Sequence, residues 1–150
     1  MAEFSANAVQ TVNPGESVVF TANPVPCRIG AVRHRDETGS FLLSGNINIQ
    51  NGSGCCCNRN RYVNYLVDFG ANIAIQTGGT VGPISLAIQL DNGTIPASTM
   101  TVTPAAVEEF FNVSRAINAQ VWTGCCQTLT VTNVSDQPIL VQNANIIITR

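Results

Sequence analysis

The stretch Arg61–Ile75, RYVNYLVDFGANIAI, constrains the fold more than any other part of the chain. Val63, Tyr65, Val67, Phe69, Ala71, Ile73 and Ile75 are apolar, while Asn64, Asp68, Gly70 and Asn72 stand among the residues between them. Side chains on an extended backbone point alternately to opposite faces, so this rhythm predicts a long strand buried on its odd-numbered face and not a helix. An apolar sheet face must be covered by a second layer.

The rest of the chain supplies segments able to do that. Pro14-Gly15 is a turn pair before a short strand at Ser17–Ala22, and the two prolines of Asn23–Pro26 restrict that segment to an edge or a loop. Cys27–Arg35 adds a ragged strand through Ile29, Ala31 and Arg33, closed by a turn at Asp36–Gly39. Phe41, Leu43, Ile47 and Ile49 share one parity, with Gly45 as a bulge or kink, and Asn51–Asn60 reads as a loop leading into the long strand. After the Gly-rich Thr77–Gly82, the residues Ile84, Leu86, Ile88 and Leu90 alternate up to Asp91-Asn92-Gly93, whose turn residues readily adopt positive φ. Ile95–Thr101 returns irregularly. Thr103-Pro104 before AAVEEFF carries the start signals of a helix of two turns at most. Phe111, Val113, Arg115, Ile117, Ala119 and Val121 resume the two-residue period, Leu129 and Val131 form another strand, Asn133–Pro138 turns the chain, and Ile139–Arg150 supplies the last one or two strands. Residues 1–13 are small and polar with a lone Phe4, which predicts a flexible leader or attachment arm before a domain at residues 14–150. Eight to ten short strands separated by turns predict an all-β, two-sheet antiparallel sandwich or a barrel.

Composition bears on what surrounds such a shell. At 150 residues the chain fits one domain with a core of its own. Only 11% of residues are charged against 45% hydrophobic, and every basic residue is Arg. A surface so poor in charge suggests a face shared with identical copies; the alternative is a neutral monomer rich in Asn, Thr and Ser. The net charge of −2, with scattered Arg, gives no basic stripe for nucleic acid. No apolar run approaches a membrane span, and Met1–Gln10 lacks the features of a secretory signal. An outer surface would then be reached by lysis, by assembly inside a mother cell, or through a signal removed beforehand.

The order of segments resembles a known jelly roll. The strand YLVDFGANIAI, a glycine turn, ISLAIQLDNGTIPAST, a Thr-rich strand and a terminal NANIIITR are similar to the C-terminal domain of the bacterial spore-surface collagen-like glycoprotein. That domain is itself similar to the complement globular-head and tumour-necrosis-factor folds, and related domains occur in phage head fibres and prophage surface proteins. The resemblance, over residues 12–150, implies a two-sheet jelly roll with three chains about a threefold axis. It further implies a structural or contact role on the outer surface of a spore or phage particle. The chain departs from the pattern in having no Gly-X-Y stalk and in carrying six cysteines.

Those cysteines are Cys27, the triplet Cys55-Cys56-Cys57 and the pair Cys125-Cys126. Neighbouring cysteines rarely bridge each other, because a disulfide wants separated Cα atoms and the intervening peptide is planar. The triplet is therefore expected to look outward, to Cys125-Cys126 or to other subunits. Disulfides within or between chains, reduced cysteines packed as small hydrophobes, and a thiolate metal site of Cys55, Cys57 and Cys125-Cys126 without the usual two-residue gap are the competing readings. A redox enzyme has no C-x-x-C here to rest on.

Catalytic alternatives are thin. His34 is the sole histidine; a hydrolase would need it as base with an acid such as Asp36, no G-x-S-x-G nucleophile elbow supports this, and between Arg33 and Arg35 it reads as a surface or interface residue. Glu108 and Glu109 are adjacent, so in a strand they diverge. Asp91-Asn92-Gly93 would hold calcium only with other loops converging on it. The Asn-x-Ser/Thr triplets at Asn51, Asn92, Asn112 and Asn133 read as turn chemistry, and Tyr62, Tyr65 and Trp122 as core aromatics before a sugar-stacking platform. The sequence thus points to a non-enzymatic, self-assembling structural module without cofactor. A receptor- or carbohydrate-binding head is the alternative.

Overall fold

The computed structural model describes residues 1–27, 30–35, 38–46 and 58–150, with the backbone alone for residues 58–61. The strands are β1 (Ala2–Ala6), β2 (Gln10–Val12), β3 (Ala22–Val25), β4 (Val32–Arg35), β5 (Ser40–Ser44) and β6 (Asn58–Ile75), followed by β7 (Ile84–Leu90), β8 (Gly93–Thr94), β9 (Met100–Val102), β10 (Phe111–Thr123), β11 (Cys126–Asn133) and β12 (Ile139–Thr149). One 3-10 turn, Pro96–Ser98, lies between β8 and β9, and the described residues contain no α-helix. Two six-stranded antiparallel sheets result. Sheet A runs β10-β6-β12-β1-β3 with β2 beside β12, and sheet B runs β4-β5-β11-β7-β8 with β9 beside β7. Neighbours in space are mostly distant in sequence, as in a jelly roll.

β6 is the spine of sheet A, flanked by β10 and β12 along most of its length. Its odd residues from Tyr65 to Ile75 are buried and Val63 is half-buried against them. From sheet B, Phe41 and Leu43 of β5, Ile84, Leu86 and Ile88 of β7, and Leu129 and Val131 of β11 close the core, with Leu90 packed at its margin. The alternation read from the sequence is thus the alternation of the two inner faces.

Several expectations are corrected, the first being the strand at Ser17–Ala22, where Ser17 makes only an isolated bridge to Thr132 and Val18 N–H donates to Val131 O. Residues 2–12 are no leader: Ala2, Phe4 and Ala6 are buried, and β1 lies between β12 and β3, with the Phe4 ring tilted against Phe41 at a centroid distance of 4.8 Å. The segment AAVEEFF is not helical. Glu108 sits at φ 60° and donates its N–H to Ile75 O, while the Glu109 carboxylate accepts the N–H groups of Ala105 and Ala106. In β4 Val32 and His34 turn inward and Arg33 is exposed, while Ala31, just before the strand, is buried in the core as well. Arg115 likewise breaks its row, being exposed where Val113 and Ile117 are buried, and it donates from Nε to Ala97 O.

The last strand is single but bulged. Asn143, at φ 52°, lets burial switch from Ile139 and Val141 to Ala144, Ile146 and Ile148. β2 pairs the first half and β1 the second, so one extra residue gives the core two strands' worth of apolar side chains. As expected, Asp91 and Asn92 have positive φ, and the proline-bearing β3 is an edge.

Candidate functional site

The outward face of sheet A carries little charge for a surface that faces water. Along β6 from Tyr62 to Asn72, and along the paired stretches of β10 and β12, the outward positions carry a single charge, Asp68. It is opposed by Ala116 on one side and Ile147 on the other. Leu66 is 48% exposed one step along the same row. Amides fill most of the rest: Asn112 donates to Asn72 Oδ1, and at the β1 border Asn145 donates to Glu3. Such a face presents apolar area and neutral hydrogen-bonding groups with little cost of charge desolvation.

One end of the face carries an aromatic pair. Trp122 and Tyr62 are cross-strand partners, 43% and 51% exposed, with ring centroids 6.1 Å apart and edge-to-face planes. Both had been assigned to the core by type; their even parity puts them outside. Tyr65, on the other face, is buried and donates its hydroxyl to Ser44 O and Ala31 O. Burial pushes its pKa up, the charge of Arg150 opposes this, and Cys27 adds to the rise.

The same end gathers the described cysteines. Cys27 is half-buried near Tyr65, while Cys125 is buried in the β10–β11 turn and Cys126 pairs with Ser44 of β5. Cys125 and Cys126 are disulfide-bonded. Cys55, Cys56 and Cys57 lie outside the described residues, and with them the proposed thiolate metal site; among the described residues no three His, Cys, Asp or Glu side chains gather to hold a metal.

The other candidates have structural partners. His34 stacks on Phe41 and is tilted against Phe4, with centroids 4.9 and 5.1 Å away, and Asp36 lies outside the described residues. Glu108 accepts the Thr77 hydroxyl, and Asp91 accepts Thr128 N–H. Asn133 is fully buried and donates to Val12 O and Gln137 O, so it is a turn residue and not a glycan acceptor. A shallow cleft of about 360 Å³ at the opposite end is lined by Thr80, Val81, Pro83, Asp136 and Gln137. The Gln137 amide is already spent on Thr80 N–H and C=O, so the cleft offers one carboxylate and no converging set of donors. No helix is long and apolar enough to cross a membrane among the described residues.

Architecture and strand order define a two-sheet jelly-roll fold. The chain is similar to the globular domain of zebrafish complement 1qA protein, with TM-score 0.56 and 10% identity over 97% of this chain and 94% of that one. It is also similar to the Eiger TNF of S. frugiperda, with TM-score 0.64 and 13% identity over 98% and 88%. A family 35 carbohydrate-binding module from an environmental isolate aligns over 100% and 93% at 12% identity, but with TM-score 0.39. No protein-family model and no curated protein matches the sequence.

Proposed function

We propose that this chain is a non-enzymatic structural module that associates with copies of itself, as a trimer, through the outward face of sheet A. The observation that carries the reading is the face around Leu66, Ala116, Ile147 and Trp122, where Asp68 and, beside Ile147 on β1, Glu3 are the charges. A soluble surface normally interleaves both signs of charge, and one that does not is suited to burial against its like. The threefold arrangement is supported by the resemblance to the spore-surface domain, and that same resemblance supports a place on the outer surface of a spore or phage particle.

Cysteine cross-linking belongs to the same reading. Asn58, the residue after the triplet, is the register partner of Thr123, two residues before Cys125. That continuity supports bridges from Cys125 and Cys126 to the Cys55–Cys57 triplet, and adjacent cysteines are poor partners for each other. Cys27 serves the assembly as a further linking or packing residue near the same end.

Light scattering of the native protein is expected to give three times the chain mass, and Leu66→Arg, which sets a charge in the face without touching the core, a single chain mass. A native protein of single-chain mass overturns the reading. The exposed Tyr62 and Trp122 favour a second one, a carbohydrate- or receptor-binding head. Glycan titration followed by Trp122 fluorescence separates the two, since saturable quenching belongs to the head and a flat response to the scaffold.

A further inference from the structure

Sheet A ends on β10 at one side. An edge strand exposes a row of N–H and C=O groups, and proteins keep such rows from pairing with other chains by proline, charge or brevity. β3, at the opposite edge, carries Pro24; β4 carries Arg33 and Arg35; β8 and β9 are two and three residues long. β10 runs from Phe111 to Thr123 without proline, and its one charge, Arg115, is drawn aside through Nε to Ala97 O. Residues of an edge strand direct their backbone groups alternately toward the neighbouring strand and away from it. Ala71, the partner of Val113, turns its carbonyl toward β10, where the Asn112 amide also reaches it, so the odd-numbered residues of β10 are those bonded to β6. Trp122 O agrees: it points away from β6 and accepts the N–H of Cys125. Asn112, Ser114, Ala116, Asn118 and Gln120 are therefore the outward-directed residues before it. All are exposed, and among the described residues their backbone N–H and C=O groups have no partner.

We propose that this edge joins a second copy of the chain, β10 to β10 in antiparallel register about a twofold axis at Ala116, so that sheet A continues from one copy into the other. The register follows from what is open. Trp122 O is spent on its own turn and β10 begins at Phe111, so the open run is Asn112–Gln120, whose middle residue is Ala116. About that centre Asn112 faces Gln120 of the second copy, Ser114 faces Asn118, and Ala116 faces Ala116. Each facing pair exchanges N–H···O=C bonds in both directions, amide side chains meet amides, and Arg115 faces Ile117 and not a second Arg115. A copy of the same strand thus satisfies every group that the edge offers and opposes no like charges, which is why the occupant is this chain. The contact lies in the plane of sheet A and the trimer contact on its outward face, so neither requires the other; where both form, trimers are joined to trimers. Strand addition buries little area and contacts of small area are weak, so this one fills as concentration rises.

Ala116 belongs to the outward face as well, so the test is made in Leu66→Arg, where the face contact is removed. Sedimentation equilibrium of that variant is expected to show single chains when dilute and pairs as the concentration is raised toward about 1 mM. Adding Ala116→Lys, or Ala116→Glu, sets like charges opposite each other at the axis, and each is expected to raise the dissociation constant about fivefold or more. Mixing the two charged variants opposes Lys to Glu and is expected to restore pairing at least to the level of Leu66→Arg alone. Ala116 is exposed, and far-ultraviolet circular dichroism checks that the sheets survive each change. Leu66→Arg that stays a single chain at every concentration overturns the proposal, as does pairing indifferent to the charges at Ala116, or a mixture that pairs no better than its components. Native protein that is a single chain when dilute, yet pairs on concentration with the same charge dependence, defeats the trimer reading and leaves the edge standing. Native trimers that grow no further, with Leu66→Arg always single, defeat the edge and leave the face standing.

Discussion

Tyr65 shows what a single polar group does inside this core. Its ring is buried among apolar side chains, yet its hydroxyl reaches two carbonyls, Ser44 O and Ala31 O, and so ties β6 to the strand and loop of the facing sheet. Tyr65→Phe removes the one proton that the two carbonyls share, leaving Ala31 O with the Ser44 N–H, and is expected to cost about 1–2 kcal/mol in urea unfolding. Burial raises the Tyr65 pKa above 10.0 in the folded state. Below that pH the phenol keeps its proton whether folded or not; above it the unfolded chain ionises first, so stability falls as pH rises. The alkaline decline should be visibly shallower in Tyr65→Phe. Ser98 makes a similar case, fully buried, accepting Ile88 N–H and donating to Ile88 O or Ile95 O. Ser98→Ala orphans a buried N–H and is expected to lower stability by about 1–3 kcal/mol in the same assay. Tyr65 was legible as an inward residue from parity alone, whereas Ser98 was not legible, because its role depends on β7 lying beside a turn ten residues away.

At the scale of elements, β1 is the instructive strand. Ala2, Phe4 and Ala6 alternate with Glu3 and Ser5, a two-residue period that was present but weak because two of its three apolar members are Ala. What buries the segment is its partner: β1 pairs residue for residue with Ala144–Ile148 of β12, beyond the Asn143 bulge. Phe4→Ala removes a ring packed against Phe41 and His34 and is expected to cost about 3–5 kcal/mol, as read by the thermal midpoint; a true flexible leader would show no change. The failed helix at AAVEEFF teaches the converse. Its cap signals were sound, but the backbone of Glu108 is claimed by Ile75 and its carboxylate by Thr77, contacts between segments that no local pattern records.

For the whole molecule, the two sheets bury one face against the other, and the outward face of sheet A, with Asp68 and Glu3 as its charges, underlies the expected trimer and its loss in Leu66→Arg. Asp68→Asn, which removes the charge between Ala116 and Ile147 without altering the shape of that face, is expected to tighten association severalfold in sedimentation equilibrium, since a buried carboxylate is costlier than an amide. By itself the sequence determined that the chain is a two-layered β shell and which residues of β6, β7, β10 and β11 line its inside. Period-two patterning is a local property, read along one strand without knowledge of its neighbours. Only the tertiary structure decided that residues 2–12 join sheet A, that Tyr62 and Trp122 meet on the outside, and that Cys125 and Cys126 stand beside them. Strand order and register arise from pairings across the length of the chain, and a residue's neighbours across a sheet are set by those pairings and not by its place in the sequence.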